Sequence, residues 1–147
     1  MDPGPRSDEV MASHWRRATL AWMLIILAET VHGAIREIFI APALGDLRAR
    51  QLGVGVGCVI IFGIAWFAVR WIGTRNRATL LGIGLMWVCL TLAFEMAFGR
   101  AVGASWDRIL SDYNPARGGF MIFGLTFMCF APWLAARLRR LDSGDRQ

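Results

Sequence analysis

The sequence predicts an all-α membrane protein of four transmembrane helices, built by tandem duplication of a two-helix hairpin. Three observations carry that prediction. Hydrophobic residues make up 56% of the chain and charged residues only 18%, where a soluble domain averages about 25% charged. Three stretches, 52–69, 78–94 and 118–136, hold no charged residue and approach or reach the roughly 17–25 residues of a membrane span. A pattern of polar and special residues also occurs twice. Glu29, Gly33 and Asp46 recur as Glu95, Gly99 and Asp112, each 66 positions later. After one inserted residue the offset becomes 67: Ala49-Arg50 recurs as Ala116-Arg117, Gly57 as Gly124, and Trp66-x-Ala-x-Arg70 as Trp133-x-Ala-x-Arg137. Apolar segments share Leu and Ala by composition alone. They do not share Glu, Asp, Arg and Trp in order.

Residues 1–17 are polar, fit no cleavable signal and read as a flexible cytoplasmic tail. The first hairpin repeat covers 18–72. Its first span, from about 18 to 40, is apolar as far as Ala28 and then carries Glu29, His32, Arg36 and Glu37. At 100° per residue, Glu29, His32, Gly33 and Arg36 fall within roughly a 100° arc, a polar stripe facing away from lipid. A connection over 41–51 leads to the second span, with Asp46 expected as its N-cap and Arg50 at headgroup level. Gly53-x3-Gly57 permits close helix approach. Residues 73–77 form a tight cytoplasmic turn. The second repeat, 78–140, places Thr91, Glu95 and Gly99 on one face of its first span, with Arg100 following. A long connection over 101–117 leads to the fourth span, with Asp112 expected as its N-cap and Arg117 at headgroup level. In the functional reading Asp46, Arg50, Asp112 and Arg117 form a polar vestibule, joined by Asp107, Arg108 and Tyr113. Residues 141–147 are a C-terminal tail. Trp15, Trp71, Trp106 and Trp133 fall near span ends as interfacial anchors.

Two spans per repeat give both repeats the same orientation, related by a pseudo-twofold axis along the membrane normal. Charge sets the topology. All 16 basic residues are arginine. The two tails and the 73–77 turn with Arg70 hold ten arginines and five acids; the opposite side holds six of each. The formal charge of +5 thus sits on one side, which the positive-inside rule places in the cytoplasm. Arg137, Arg139 and Arg140 face anionic lipid headgroups there. The lysine-free, arginine-rich composition suggests a GC-rich genome and a bacterial inner membrane. No basic stripe interleaved with aromatics points to nucleic acid.

A carboxylate at membrane depth costs at least ~2.5–3.5 kcal/mol, so Glu29 and Glu95 are the leading functional candidates. If they meet near the pseudo-axis, either one holds a proton or a cation sits between them. In the structural reading Glu29 and Arg36 pair with Glu95 and Arg100 and join the first and third spans. Glu29-x-x-His32 matches half of a di-iron motif, but the second copy reads Glu95-Met96-Ala97-Phe98 and lacks the histidine; no metal or cofactor is expected. Cys58, Cys89 and Cys129 lie in apolar spans without a Cys-x-x-Cys pair, which disfavours disulfide-exchange chemistry. Nothing forms a nucleophile–base constellation. The sequence therefore favours a transporter or channel for a proton, cation or small solute through Glu29 and Glu95. An accessory subunit bound to another membrane protein is the alternative, with a homodimer or larger membrane complex as partner state. An enzyme acting on a lipid or quinone comes third.

Overall fold

A computed structural model describes the backbone over residues 7–144 and the side chains over the same span apart from Arg117 and 141–144. The outer parts of the two expected tails, 1–6 and 145–147, and the expected role of Arg117 lie outside the described residues.

All regular structure among the described residues is helical. Helix α1 (Ser7–Ile35) continues through a wide π turn (Arg36–Ile40) into the short α2 (Ala41–Leu44). Then follow α3 (Asp46–Ile72), α4 (Arg77–Ala101), α5 (Trp106–Ser111), a 3-10 turn (Pro115–Arg117) and α6 (Met121–Gly144). Four segments, Ser7–Leu44, Asp46–Ile72, Arg77–Ala101 and Met121–Arg140, are long and apolar enough to cross a membrane.

Local chemistry explains the joints. Pro42 lacks an N–H and its ring crowds the carbonyl four residues earlier. The chain answers with a π turn, in which the Ala41 N–H bonds the Arg36 carbonyl. Gly45 (φ 83°, ψ 150°) then reverses the chain into α3, a backbone region open essentially to glycine alone. The connection expected over 41–51 is therefore helix on both sides of one glycine. Gly73 ends α3 in the left-handed region, its N–H bonding the Val69 carbonyl at 3.2 Å. The Asn76 side chain caps α4 by accepting from Ala78 N at 2.9 Å. Two expected boundaries move outward. Helix α1 begins at Ser7, inside the segment read as a tail through Arg17, with Asp8 and Glu9 in its first turn complementing the helix dipole. Helix α6 runs to Gly144 rather than ending near Arg140.

Helix α1 packs along α3, α4 along α6, and α3 against α6 joins the two hairpins; α1 and α4 touch far less. The buried core lies at the end that carries the described chain ends and the 73–76 turn. Ala18, Ala21 and Ile25 meet Ile61, Ala65, Leu80, Ile83, Trp87, Met128, Ala131 and Ala135 there. Gly84 allows this closure, since a Cβ there would fall on the Cys129 backbone carbonyl. The Trp87 indole donates to the Ala18 carbonyl at 2.9 Å. Trp22 donates to Thr91 Oγ1 at 3.1 Å, and that hydroxyl donates to Met128 Sδ at 3.5 Å. At the same end His14 Nδ1 and Arg17 reach the Ile72 and Trp71 carbonyls, at 2.6 and 2.7 Å, satisfying acceptors that the end of α3 leaves unpaired.

Candidate functional site

Beyond the Trp22–Thr91–Met128 floor the helices diverge and the core gives way to a cavity of ≈ 720 Å³. Glu29, His32 and Arg36 line it from the first hairpin, and so does Arg50. Glu95, Asp112 and Tyr113 line it from the second. The connection from Val102 to Phe120 closes one wall. Its volume lies within the roughly 300–1,000 Å³ typical of small-molecule sites.

The two glutamates share this cavity but not their partners. Glu29 Oε2 accepts from His32 Nδ1 at 3.2 Å, one turn along α1. Glu95 accepts from the Tyr113 hydroxyl, delivered by the connection after α5. Burial, then that hydrogen bond, pushes the Tyr113 phenol up from its ordinary value, so Tyr113 stays a donor. Neither glutamate forms an ion pair with an arginine among the described residues, so the expected Glu29–Arg36–Glu95–Arg100 glue is not formed. Arg36 instead reaches Glu37 at 3.7 Å. Arg100 turns away from the cavity: it donates to the Ala104 carbonyl at 2.9 Å and its guanidinium lies 5.3 Å from the Trp106 ring. The Ala104 carbonyl just beyond α4 and the Trp106 ring offer the long guanidinium side chain a hydrogen bond and a cation–π contact.

Asp46 and Asp112 are not helix N-caps. Gly45 occupies that position for α3, and Asp112 follows the end of α5. Their carboxylates join an ion cluster across the two hairpins. Arg50 pairs with Asp46 at 2.9 Å and with Asp112; Arg108 adds contacts to Asp46 at 3.5 Å and Asp112 at 3.8 Å. The cluster and the Tyr113–Glu95 bond tie the wall formed by the second connection to α3 and α4.

Gly53 and Gly57 do more than bring helices together. A Cβ on Gly57 would lie 3.0 Å from Glu29 Oε2, and one on Gly53 would lie 2.8 Å from Arg36 Cδ. The glycines make room on α3 for the charged side chains of Glu29 on α1 and Arg36 on the π turn. Glu29 Oε1, Arg36 Nη1 and Arg50 Nε are buried with no hydrogen-bond partner among the described residues. Arg108 and Tyr113 were expected to join a polar vestibule; the seats at Gly53 and Gly57 were not singled out as site features from sequence, where the four-residue glycine spacing opposite a polar stripe was the available signal. Phe94 and Phe98, stacked with centroids 5.6 Å apart, also line the cavity.

Comparison with known proteins adds one relation. No family model matches the chain, and no solved structure matches it. It is 32% identical over 146 residues to a Thauera aromatica protein named "Putative anionic 4-hydroxy-benzoate permease", the match covering 97% of this chain and 82% of that one.

Proposed function

The chain belongs to the same family as that Thauera aromatica protein, and from this premise we propose that it is a small multi-pass transporter moving a small organic anion through the cavity between its hairpins. Glu29 and Glu95 are the ionisable groups of the path. One observation carries the reading: both glutamates, from different hairpins, line a single cavity that also holds Arg36, and neither forms an ion pair with an arginine among the described residues. A carboxylate kept at membrane depth without a counter-charge is costly, which a purely structural role does not explain. The stacked Phe94–Phe98 pair and Phe120 offer an aromatic wall, while Arg36 supplies positive charge. A ring-bearing carboxylate such as 4-hydroxybenzoate suits that combination.

The charge split supports an inner-membrane orientation with both termini cytoplasmic, and the sequence recurrence supports descent of the two hairpins from one. A reporter fused after Gln147 tests the first: activity only outside the cytoplasm would reverse the orientation. Uptake of radiolabelled 4-hydroxybenzoate into proteoliposomes tests the function. The expected result is saturable uptake above that of protein-free vesicles, lost in the Glu29→Gln, Glu95→Gln double variant. No uptake, together with stable co-purification of another membrane protein, would replace transport by the accessory-subunit reading.

A further inference from the structure

The cavity's ionisable groups do not all stand ready for a ligand. Glu95 is occupied by Tyr113. Asp112 is occupied by Arg50 and Arg108, which also pair with Asp46 outside the cavity lining. Two groups of opposite character remain, Glu29 on α1 and Arg36 at the start of the π turn that follows it. Glu29 Oε1 and Arg36 Nη1 are both buried and unpartnered among the described residues, and each is seated against a glycine of α3 rather than a side chain. They are not paired with one another.

We infer that the cavity carries a small carboxylate and one proton together, with Arg36 as the carboxylate anchor and Glu29, oriented by His32, as the proton carrier. The inference rests on the transport reading above. A buried guanidinium N–H without an acceptor is a strong site for a carboxylate oxygen, and the incoming anion has only the long 3.7 Å contact with Glu37 to displace. An ionised Glu29 on the same face would repel that anion in a medium of low dielectric constant. Protonated, it turns from a repelling charge into a neutral hydrogen-bond donor. The other groups facing Glu29 leave this balance intact. His32 lies on its own helix; Cys58 and Arg50 come from α3, Glu95 from α4, and Arg108, Asp112 and Tyr113 from α5 and the connection after it. Arg50 and Arg108 are paired with the two aspartates, and Glu95 is held by the Tyr113 hydroxyl. In one cycle an O–H bond forms on Glu29 with a proton taken from water on the entry side. The same bond breaks when that proton is released to water on the other side. The carboxylate crosses unchanged, so one negative and one positive charge move together and no net charge is transferred.

The test uses the full chain in proteoliposomes with radiolabelled benzoate as probe. Three modes are compared against protein-free vesicles: exchange without gradients, accumulation driven by an alkaline interior, and accumulation driven by a potassium diffusion potential. Wild type should exchange and should accumulate with the pH gradient but not with the potential. Glu29→Gln should lose pH-driven accumulation and bind benzoate without taking up a proton. Arg36→Gln should lose exchange and accumulation alike, with benzoate affinity lowered roughly tenfold or more. Accumulation driven by the potential alone, or pH-driven accumulation surviving in Glu29→Gln, overturns the inference while leaving transport standing. Failure of wild type to exchange overturns transport itself. Calorimetry on wild type in two buffers of different ionisation heat requires no variant to fold: uptake of one proton per benzoate bound supports the coupling, and none overturns it.

Discussion

Glu29 keeps one carboxylate oxygen unpartnered among the described residues and takes its hydrogen bond from a histidine of its own helix, whereas Glu95 takes a phenol from a distant connection. The contrast extends along both hairpins. A Cβ at Gly57 would press on the Glu29 carboxylate at 3.0 Å, while one at Gly124, its counterpart in the sequence, would meet only Val54 Cγ1 at an ordinary 3.6 Å. Gly33 has open space where Gly99 faces Ile109 Cδ1 at 3.0 Å. The cause is the unequal connections. The first hairpin closes through one glycine, Gly45, and the second carries α5 and Tyr113 back over the cavity. Two residues at matching sequence positions thus acquire different chemistry from a segment that only one of them has.

The largest expected difference lies between Glu29→Gln and Glu95→Gln. Glu29→Gln should lower uptake by roughly tenfold to a hundredfold, the scale of a lost charged interaction. Glu95→Gln should cost less, because its amide carbonyl still accepts from Tyr113. Glu9→Gln, far from the cavity, should change nothing. Equal losses at Glu29 and Glu95 in an uptake assay would make them a matched pair and end the asymmetric reading.

Next come the glycines on α3 and α6. Gly57→Ala should reduce uptake several-fold without lowering the melting temperature, since alanine gains about 1 kcal/mol of helix propensity over glycine and only the flexible end of Glu29 must move. Gly124→Ala should leave uptake as it is. Matched uptake and melting curves would break the contrast if Gly124→Ala also impaired transport.

Tyr113 is the chain's only tyrosine, which makes its titration clean. Its phenol is raised in the fold, so above about pH 10 the unfolded chain loses that proton first. The unfolded state then binds fewer protons than the native one, and stability falls as pH rises. Tyr113→Phe should flatten this alkaline loss in unfolding curves, at the cost of about 1–3 kcal/mol for the hydrogen bond to Glu95. Phenolate absorbance appearing at the ordinary tyrosine pH in the folded protein would remove the Tyr113 latch from the comparison.

The smallest effect separates Gly33→Ala from Gly99→Ala. The first should raise thermal stability by up to about 1 kcal/mol, and the second should gain less because Ile109 must yield. Equal shifts in melting temperature would mean that α5 does not press on α4.

Part of the site was legible early. The unbroken apolar runs and the stripe of Glu29, His32 and Arg36 follow from residue type and helical period, which tertiary contacts cannot rearrange. The Asp46 and Asp112 roles were misread for a physical reason. An aspartate before an apolar helix is a good N-cap in isolation, yet Arg50 on the next turn and Arg108 from another element offer two charge-assisted partners instead. Arg100 was expected at the site because it follows Glu95, but Trp106 and the Ala104 carbonyl hold it on the outer surface.

By itself the sequence determined that the chain is helical, that four segments can cross a membrane, and that charged residues at 29 and 95 must be kept from lipid. These are properties of runs and periods, set by the cost of exposing backbone and charge to hydrocarbon. Only the tertiary structure decided that the bundle closes at one end and opens at the other. Only it decided that Gly53 and Gly57 seat Arg36 and Glu29, and that Tyr113 takes Glu95 while Glu29 is left with an open oxygen. Those outcomes depend on which side chains from distant segments arrive within hydrogen-bonding reach, and no local pattern encodes that.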